Sequence, residues 1–259
     1  TLAIGVQAMA RRNAIVRRLP AIETVGAVQV ICTDKTGTLT RNEMVATSVV
    51  TADRRFEVEG EGYAAEGQTL AEGTPVHPPE HDLLTELGRA AALCNDAVLH
   101  YDDEHGWSVV GDPMEGALLA LAGKLDPEEA VPAHGWQRIA EIPFDSRHRY
   151  MATLDRGPDG AAMISVKGAP EQVLALCSAQ RTEGGGSEPV DTEHWLRSIE
   201  EMAAQGQRVL AFATAQAEQG EDRLDEEVLR ERLEMVALVG LIDPPRAEAI
   251  DAVARCLDA

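Results

Sequence analysis

Residues capable of chemistry are concentrated in one ten-residue segment, positions 31–40, which reads ICTDKTGTLT. The apolar run 28–32 predicts a short buried strand. Asp34 follows that strand directly, and in open α/β sheets ligands bind at the carboxyl ends of the strands. The sequence therefore predicts a reactive carboxylate at Asp34.

The four residues after Asp34 supply what a phosphoryl group needs. Lys35 carries a positive charge, and the hydroxyls of Thr36 and Thr38 can donate hydrogen bonds. Gly37 has no side chain, so backbone N–H groups can come close to a ligand. A carboxylate in this setting can accept a phosphoryl group, because an acyl-phosphate divides one difficult hydrolysis into two easier steps. The alternative is a simple turn capped by the aspartate.

Two further motifs contain candidate ligand-binding residues: one lies at the start of a predicted helix and the other in a charged loop. The string GDPMEGAL begins at Gly111 and predicts a helix, since Asp112 is a good N-cap and Pro113 suits the first helical position. The string PFDSRHR sets Phe144, one of only three phenylalanines, among charged residues. An exposed ring beside arginines suits stacking on a purine, with a cation reaching the phosphates. Capping alone for Asp112 and core packing for Phe144 are the alternatives.

Two basic residues complete the candidate set. Lys167 begins the string KGAPE, between a predicted strand at 162–166 and a predicted helix at 170–179. The chain has three lysines and twenty arginines, so a lysine is favoured where a compact point charge is needed. Arg208 precedes a predicted strand at 208–214, and an ordinary surface arginine is its alternative role.

The elements that must position these residues follow from hydrophobic periodicity and turn signals. Strands are predicted at 47–52, 54–59, 138–142, 150–154, 162–166, 208–214 and 235–242. Helices are predicted at 82–94, from 112, at 170–179 and at 192–205, and an apolar stripe of Ile250, Val253 and Leu257 predicts one at the end. Gly206 is expected to terminate the helix before it, and Asp243 to cap the last one.

Composition restricts the partners. With 259 residues the chain has room for about two domains. Its 44 acidic against 23 basic residues, net charge −21, exclude nucleic acid as a partner, because a phosphate-backbone binder needs a basic face. No apolar run reaches the roughly 18 residues of a membrane span. The mildly apolar stretch 1–10, followed by arginines, is typical either of the cytoplasmic end of a transmembrane helix or of an amphipathic surface helix.

Taken together, these strings resemble the type II P-type cation-transporting ATPases, and the calcium-pump-like branch most closely. The resemblance rests on DKTGTLT, on GDPMEGAL with Met114 in place of the usual threonine, on KGAPE and on DPPR at 243–246, and it covers nearly the whole chain. It implies an α+β nucleotide-binding domain, an antiparallel sheet with flanking helices, inserted in a partial Rossmann-like α/β, haloacid dehalogenase-like phosphorylation domain. The implied divisions are 1–19, the cytoplasmic end of a transmembrane helix with its linker; 20–43, the first part of the phosphorylation domain; 44–241, the nucleotide-binding domain; and 242–259, the start of a second, truncated part.

The resemblance also implies a site, with ATP and Mg²⁺ as its cofactors. The implied catalytic residues are Asp34, Lys35, Thr36 and Thr38, with Asp34 and Thr36 as magnesium ligands. The implied nucleotide-binding residues are Asp112, Phe144, Arg149, Lys167, Gly168, Arg208, Asp243 and Arg246. Phe144 would stack on adenine, Arg149 and Arg208 would draw in the phosphates, and the chain would lie on the cytoplasmic side of a membrane.

The family's TGD and GDGxND segments do not occur in these residues, so we expect the chain to bind ATP without turning it over. The transported cation would be bound in membrane helices outside it, so the sequence does not identify that cation. Two alternatives stay open: a stand-alone nucleotide-binding or regulatory module, and a soluble haloacid dehalogenase-like phosphatase. Such phosphatases usually carry an aspartate two residues after the nucleophile, where this chain has Thr36, which favours a long-lived phospho-aspartate.

Overall fold

A computed structural model of the chain describes residues 2–18, 25, 27–126, 135–218 and 220–258. The predicted boundary between 19 and 20 lies outside the described residues, as do residues 21–24 and 26 after it. The chain divides into two compact units, Thr1–Leu39 and Thr40–Ala259. Neither observation tests the predicted domain divisions, which stay predictions.

The larger unit is built on a sheet that contains eleven strands in the described part of the chain. The described strands are β1 Val45–Val50, β2 Arg55–Val58, β3 Thr69–Ala71, β4 Thr74–Val76, β5 Val98–Asp102, β6 Gly106–Val110, β7 Gln137–Ile142, β8 Tyr150–Arg156, β9 Ala162–Gly168, β10 Ala179–Thr182, β11 Gly186–Pro189, β12 Arg208–Gln216 and β13 Glu234–Ile242. The sheet order is β4-β3-β2-β1-β13-β12-β9-β8-β7, all antiparallel, while β10 pairs parallel with β13 and antiparallel with β11. Strands β5 and β6 form a separate hairpin.

Helices cover both faces of this sheet. The described helices are α1 Leu2–Ala10, α2 Asp82–Leu93, α3 Pro113–Leu125, α4 Pro170–Leu176, α5 Thr192–Ala204, α6 Glu226–Arg232 and α7 Ala247–Leu257. One core lies under α2 and α3, where Leu84, Leu118 and Leu121 pack with Phe56 and Phe212 of the sheet. The other lies under α4, α5 and α6, around the fully buried Trp195. Because both faces are covered, the central strands β12 and β13 are apolar almost throughout.

Most of the predicted elements of the larger unit are confirmed. The antiparallel sheet with flanking helices is present, and Gly206 ends α5 in the left-handed region at φ +78°. The predicted helix at 170–179 stops at Leu176, because Ala179 already pairs with Glu234 in the sheet. The surrounding haloacid dehalogenase-like domain stays a prediction.

The smaller unit departs from its prediction. Residues 28–34 form no strand, and Val30 and Ile31 are 75% and 69% exposed, so the predicted buried strand at 28–32 is wrong in this structure. A strand exists only with a hydrogen-bonded neighbour, and none of the described strands pairs with this segment. No helix in the described parts of the chain has the length and apolarity to cross a bilayer.

Candidate functional site

One end of the sheet gathers most of the predicted binding residues. Gly168 ends β9, where it pairs with Tyr150 on one side and Ala211 on the other. Arg208 begins β12 at the same end, and Phe144 lies in the loop that joins β7 to β8. Antiparallel pairing therefore brings together residues that lie up to 64 positions apart in the sequence, from 144 to 208.

Phe144 projects from a loop that is braced by its own side chains. Its side chain is 63% exposed, so the packed-core alternative is not what the structure has. The Asp145 carboxylate accepts hydrogen bonds from the backbone N–H of Arg147 at 2.8 Å and from its guanidinium at 2.8 and 3.0 Å. These bonds from Arg147 hold the pKa of Asp145 well below its usual range.

Arg149 and Gly168 meet through their backbones. Arg149 has φ +57°, an uncommon value for a residue with a side chain, and its N–H donates to Asp145 O at 2.7 Å. Its carbonyl accepts from Ala169 N at 2.9 Å, which ties the loop to the end of β9. A Cβ on Gly168 would lie 2.5 Å from that carbonyl oxygen. Glycine is therefore required here for close packing, and direct contact between Gly168 and a ligand stays a prediction.

Lys167 is paired with an acid that the sequence prediction did not include. Its Nζ lies 2.5 Å from Glu115 Oε1, and the two side chains are only 9% and 15% exposed. Glu115 sits in the first turn of α3, because Asp112 caps that helix by accepting from Met114 N at 2.8 Å. The sequence prediction chose the capping aspartate of GDPMEGAL. The glutamate in the same string, three positions on and one helical turn inward, was the available signal.

Cations lie at this end of the sheet together with the carboxylates of Glu115 and Asp145. Arg149 and Arg208 are exposed, and Lys167 adds a third cation, in a protein of net charge −21. The exposed ring of Phe144 can stack on a flat base, and the Glu115 carboxylate held by Lys167 can accept a hydrogen bond from an amine. The exposed side chains of Arg149 and Arg208 can attract an anion.

The segments that enter and leave the larger unit are joined at the same end of the sheet. Thr40 Oγ1 donates to Asp243 Oδ2 at 2.6 Å, and Arg246 Nε donates to Thr40 O at 2.9 Å. Thr40 also forms an isolated antiparallel bridge with Pro245. The prediction that Asp243 caps the last helix is wrong, since Arg246 is the N-cap of α7 and Asp243 is bound to Thr40 instead. Contact of Asp243 and Arg246 with nucleotide stays a prediction.

The turn at Asp34 belongs to the smaller unit. Lys35–Leu39 forms a tight turn in which Gly37 has φ +73°, and Lys35 N donates to Asp34 Oδ1 at 2.7 Å. Asp34, Lys35, Thr36 and Thr38 are all exposed. The Asp34 carboxylate and a Thr36 oxygen are hard donors of the kind that Mg²⁺ prefers. Nowhere in the described residues do three or more histidine, cysteine or acidic side chains gather into a possible metal site.

A cavity of about 1000 Å³ lies elsewhere. Its walls include Trp136, Arg156, Met163 and Thr214, at the ends of β8, β9 and β12 that are remote from Gly168. None of the predicted site residues lines this cavity.

A sequence model of the family described as "P-type ATPase, cytoplasmic domain N" matches residues 83–248. The cation-transporting ATPase pma1 of Synechocystis sp. is 42% identical over 270 residues, which cover 100% of this chain and 29% of that protein. The calcium-transporting ATPase of Bacillus subtilis is 34% identical over 100% of this chain and 29% of its own length, and the calcium-transporting ATPase type 2C member 1 of Bos taurus is 37% identical over 98% and 25%.

This chain belongs to the type II P-type cation-transporting ATPases and contains their nucleotide-binding domain. It spans less than a third of the length of these curated relatives.

Proposed function

We propose that the chain is the ATP-binding and phosphate-accepting cytoplasmic part of a cation pump. In the whole protein, hydrolysis of ATP through an aspartyl-phosphate on Asp34 would drive a cation across the membrane. The observation that carries the proposal is the exposed Phe144 beside the Lys167–Glu115 pair and the cations at one end of the sheet. The names of the relatives, which are cation- and calcium-transporting ATPases, support the same function.

Adenine recognition would come from Phe144 and Glu115. The exposed ring offers a face on which a base can stack. The Glu115 carboxylate can accept a hydrogen bond from the exocyclic amine of adenine, whereas guanine carries a carbonyl oxygen at that position and would be repelled. Lys167 keeps this partly buried carboxylate oriented by pairing with it at 2.5 Å.

Phosphate attraction would come from Arg149 and Arg208. Both are exposed at the end of the sheet where Phe144 lies, so their charges reach solvent. In a chain of net charge −21 a polyphosphate is repelled by most of the surface, and local cations would select where it binds.

Phosphoryl transfer would then use the turn at Asp34. A carboxylate oxygen of Asp34 would attack the γ-phosphorus in line, and the bond from that phosphorus to the bridging oxygen of ADP would break. Lys35 and the hydroxyls of Thr36 and Thr38 would stabilise the charge on the transferred group. Mg²⁺, when bound by Asp34 and Thr36, would supply further neutralisation of the phosphate charge.

The domain divisions at 1–19, 20–43, 44–241 and 242–259 form part of the proposal. Helix α7 carries an exposed apolar stripe of Ile250, Val253 and Leu257. In the smaller unit Val30 and Ile31 are exposed as well. Exposed apolar faces of this kind support packing of both segments against the remainder of a phosphorylation domain in the whole protein.

Titration of the 259-residue chain with ATP tests the proposal. We expect a Kd of roughly 0.1–10 mM, with amide chemical-shift changes centred on Phe144, Glu115 and Lys167, and weaker binding of GTP. The affinity for ATP should depend little on Mg²⁺, because the proposed contacts in this chain are made to the adenine base and not to a metal ion. Absence of shifts at these residues in high-millimolar ATP would refute the pocket. Release of phosphate by the chain alone would favour the soluble-phosphatase alternative.

A further inference from the structure

Arg138 of β7 is the centre of a dense set of polar contacts next to the proposed nucleotide pocket. Its guanidinium donates to Asp96 Oδ1 at 2.7 Å and to Glu141 Oε2 at 3.0 Å, and its Nε lies 3.7 Å from Asp155 Oδ1. It also donates to two backbone carbonyls, Leu93 O at 2.5 Å and Asn95 O at 3.0 Å. One side chain thus holds the turn that follows α2.

The position suits an arginine in particular. Leu93 is the last residue of α2, where helix carbonyls have no intrahelical partner and the helix dipole is negative. The planar guanidinium can donate hydrogen bonds to those carbonyls and to the carboxylates at the same time, whereas a lysine has a single compact charge. Asp155 is 3% exposed, and burial raises its pKa despite the nearby guanidinium.

The turn at Asn95 and Asp96, which Arg138 contacts, also fixes the position of Glu115. Asn95 Nδ2 donates to Glu115 O at 3.0 Å and to Ala91 O at 3.1 Å. The backbone N–H of Asp96 donates to Glu115 Oε2 at 3.4 Å, while Glu115 Oε1 pairs with Lys167. The glutamate is therefore fixed through its backbone and both carboxylate oxygens, and two of these three contacts come from the turn.

Arg138 also lies on the strand that leads to Phe144. Strand β7 ends at Ile142, two residues before Phe144, and its side chain at Arg138 reaches across to the turn beside α3. The guanidinium thus connects the element that carries the ring with the element that carries the carboxylate.

We propose that Arg138 is a positioning residue for nucleotide recognition, which acts through the Asn95–Asp96 turn to set Glu115 against Lys167 and at a fixed spacing from Phe144. This inference rests on the proposed function, in that Glu115 is the group that recognises adenine. Arg138 itself makes no contact with the nucleotide.

The test combines Arg138→Met with Glu115→Gln in a double-mutant cycle. Arg138→Met keeps an unbranched apolar stem and removes the guanidinium, with its charge and its hydrogen-bond donors. We expect it to weaken ATP binding about fivefold or more, and to reduce the ratio of ATP to GTP affinity by a similar factor, within the range of coupled neighbours. In the Glu115→Gln background the same change should weaken ATP binding by less than about twofold. Arg138→Lys should recover part of the loss.

A matched control separates positioning from general stability. Arg181 is 28% exposed, close to the 30% of Arg138, and it bridges Glu86 and Glu234 at 3.3 and 3.4 Å. Arg181→Met should lower the melting temperature in the same way but leave ATP affinity and the ATP-to-GTP ratio unchanged. Equal effects of the two arginine variants on affinity, or additive effects of Arg138→Met and Glu115→Gln, would overturn the proposal.

A second readout does not need nucleotide. The chain has three lysines, so limited acetylation followed by peptide mass spectrometry can compare Lys167 with Lys124, which is 7% exposed and donates to Glu59 O. Arg138→Met should raise acetylation of Lys167 severalfold relative to Lys124, because Glu115 no longer holds the amine. An unchanged ratio would refute the positioning role even if the wild-type chain failed to bind ATP, which would refute only the proposed function.

Asp96→Ala covers the case in which Arg138→Met does not fold. The Asp96 side chain is 59% exposed, so its removal is tolerated, and it takes away the shortest carboxylate contact of Arg138. A smaller change in the same direction, in both the ATP-to-GTP ratio and the acetylation of Lys167, is expected. No change in either measurement would count against the proposal.

Discussion

Phe144 is the residue at which packing and binding can be separated most cleanly. Because its side chain is 63% exposed, truncation removes little buried area. We predict that Phe144→Ala weakens ATP binding by about 1–3 kcal/mol, the scale of a lost base stack, and leaves the free energy of unfolding nearly unchanged. Calorimetric titration and thermal melting on the same samples provide the two measurements.

Phe56→Ala is the matched control for that variant. Phe56 is fully buried in the core under α2 and α3, so its truncation should cost about 3–5 kcal/mol of unfolding free energy. ATP affinity should be retained at temperatures where the variant is folded. If Phe144→Ala instead behaved like Phe56→Ala, with a collapsed melting temperature and intact affinity, the stacking role would be lost.

At the scale of an element, the first turn of α3 contains one acidic residue that caps the helix and another that is proposed to bind the nucleotide. Asp112 accepts from Met114 N, whereas Glu115, one turn inward, faces Lys167. We predict that Asp112→Ala costs about 0.5–2 kcal/mol of stability, as the loss of an N-cap does. Asp112→Asn should keep both the melting temperature and the ATP affinity, since asparagine caps equally well without a charge.

The asparagine variant decides between the two roles. A fall in ATP affinity with an unchanged melting temperature would mean that the Asp112 carboxylate binds nucleotide, as the sequence resemblance implies. Glu115→Gln is the companion measurement, and it should reduce the ATP-to-GTP ratio without removing a cap.

For the whole molecule, the prediction concerns Asp34. We expect the 259-residue chain to form no acid-stable, hydroxylamine-sensitive phosphoprotein from labelled ATP. A carboxylate and a triphosphate repel one another strongly at contact distance, and the TGD and GDGxND segments that the family resemblance implies for the rest of the catalytic site do not occur in these residues. The whole cation pump of the proposed function should be labelled under the same conditions, and Asp34→Asn should abolish that label.

Either half of that expectation can fail. Labelling of the 259-residue chain at Asp34 would mean that the turn at Lys35–Leu39 suffices for phosphoryl transfer. Labelling of the whole protein that survives Asp34→Asn would refute the aspartyl-phosphate mechanism.

Local sequence signals predicted much of the larger unit. Strands β8, β9, β12 and β13 were predicted within about two residues at each end, because long apolar runs between turn residues leave few other structures open. The cap at Asp112 and the end of α5 at Gly206 depend on interactions within a few residues, so they too follow from sequence.

Elements defined by distant partners were missed or misassigned. The segment 28–32 has the composition of a buried strand, but no described strand pairs with it. The β10–β11 hairpin was not predicted, because β10 depends on the pairing of Ala179 with Glu234 of β13, 55 positions away. Asp243 was predicted to cap a helix, and its partner is instead Thr40, 203 positions earlier.

The sequence alone determined the family resemblance and the residue types of the site, because the motifs are contiguous strings whose chemistry depends on the order of their side chains. Only the tertiary structure decided that Glu115, and not Asp112, pairs with Lys167, and that Arg138 supports that pair from the neighbouring strand. Ion pairs and hydrogen bonds act over about 3 Å, and which of the chain's many charged side chains come that close depends on how helices and strands pack.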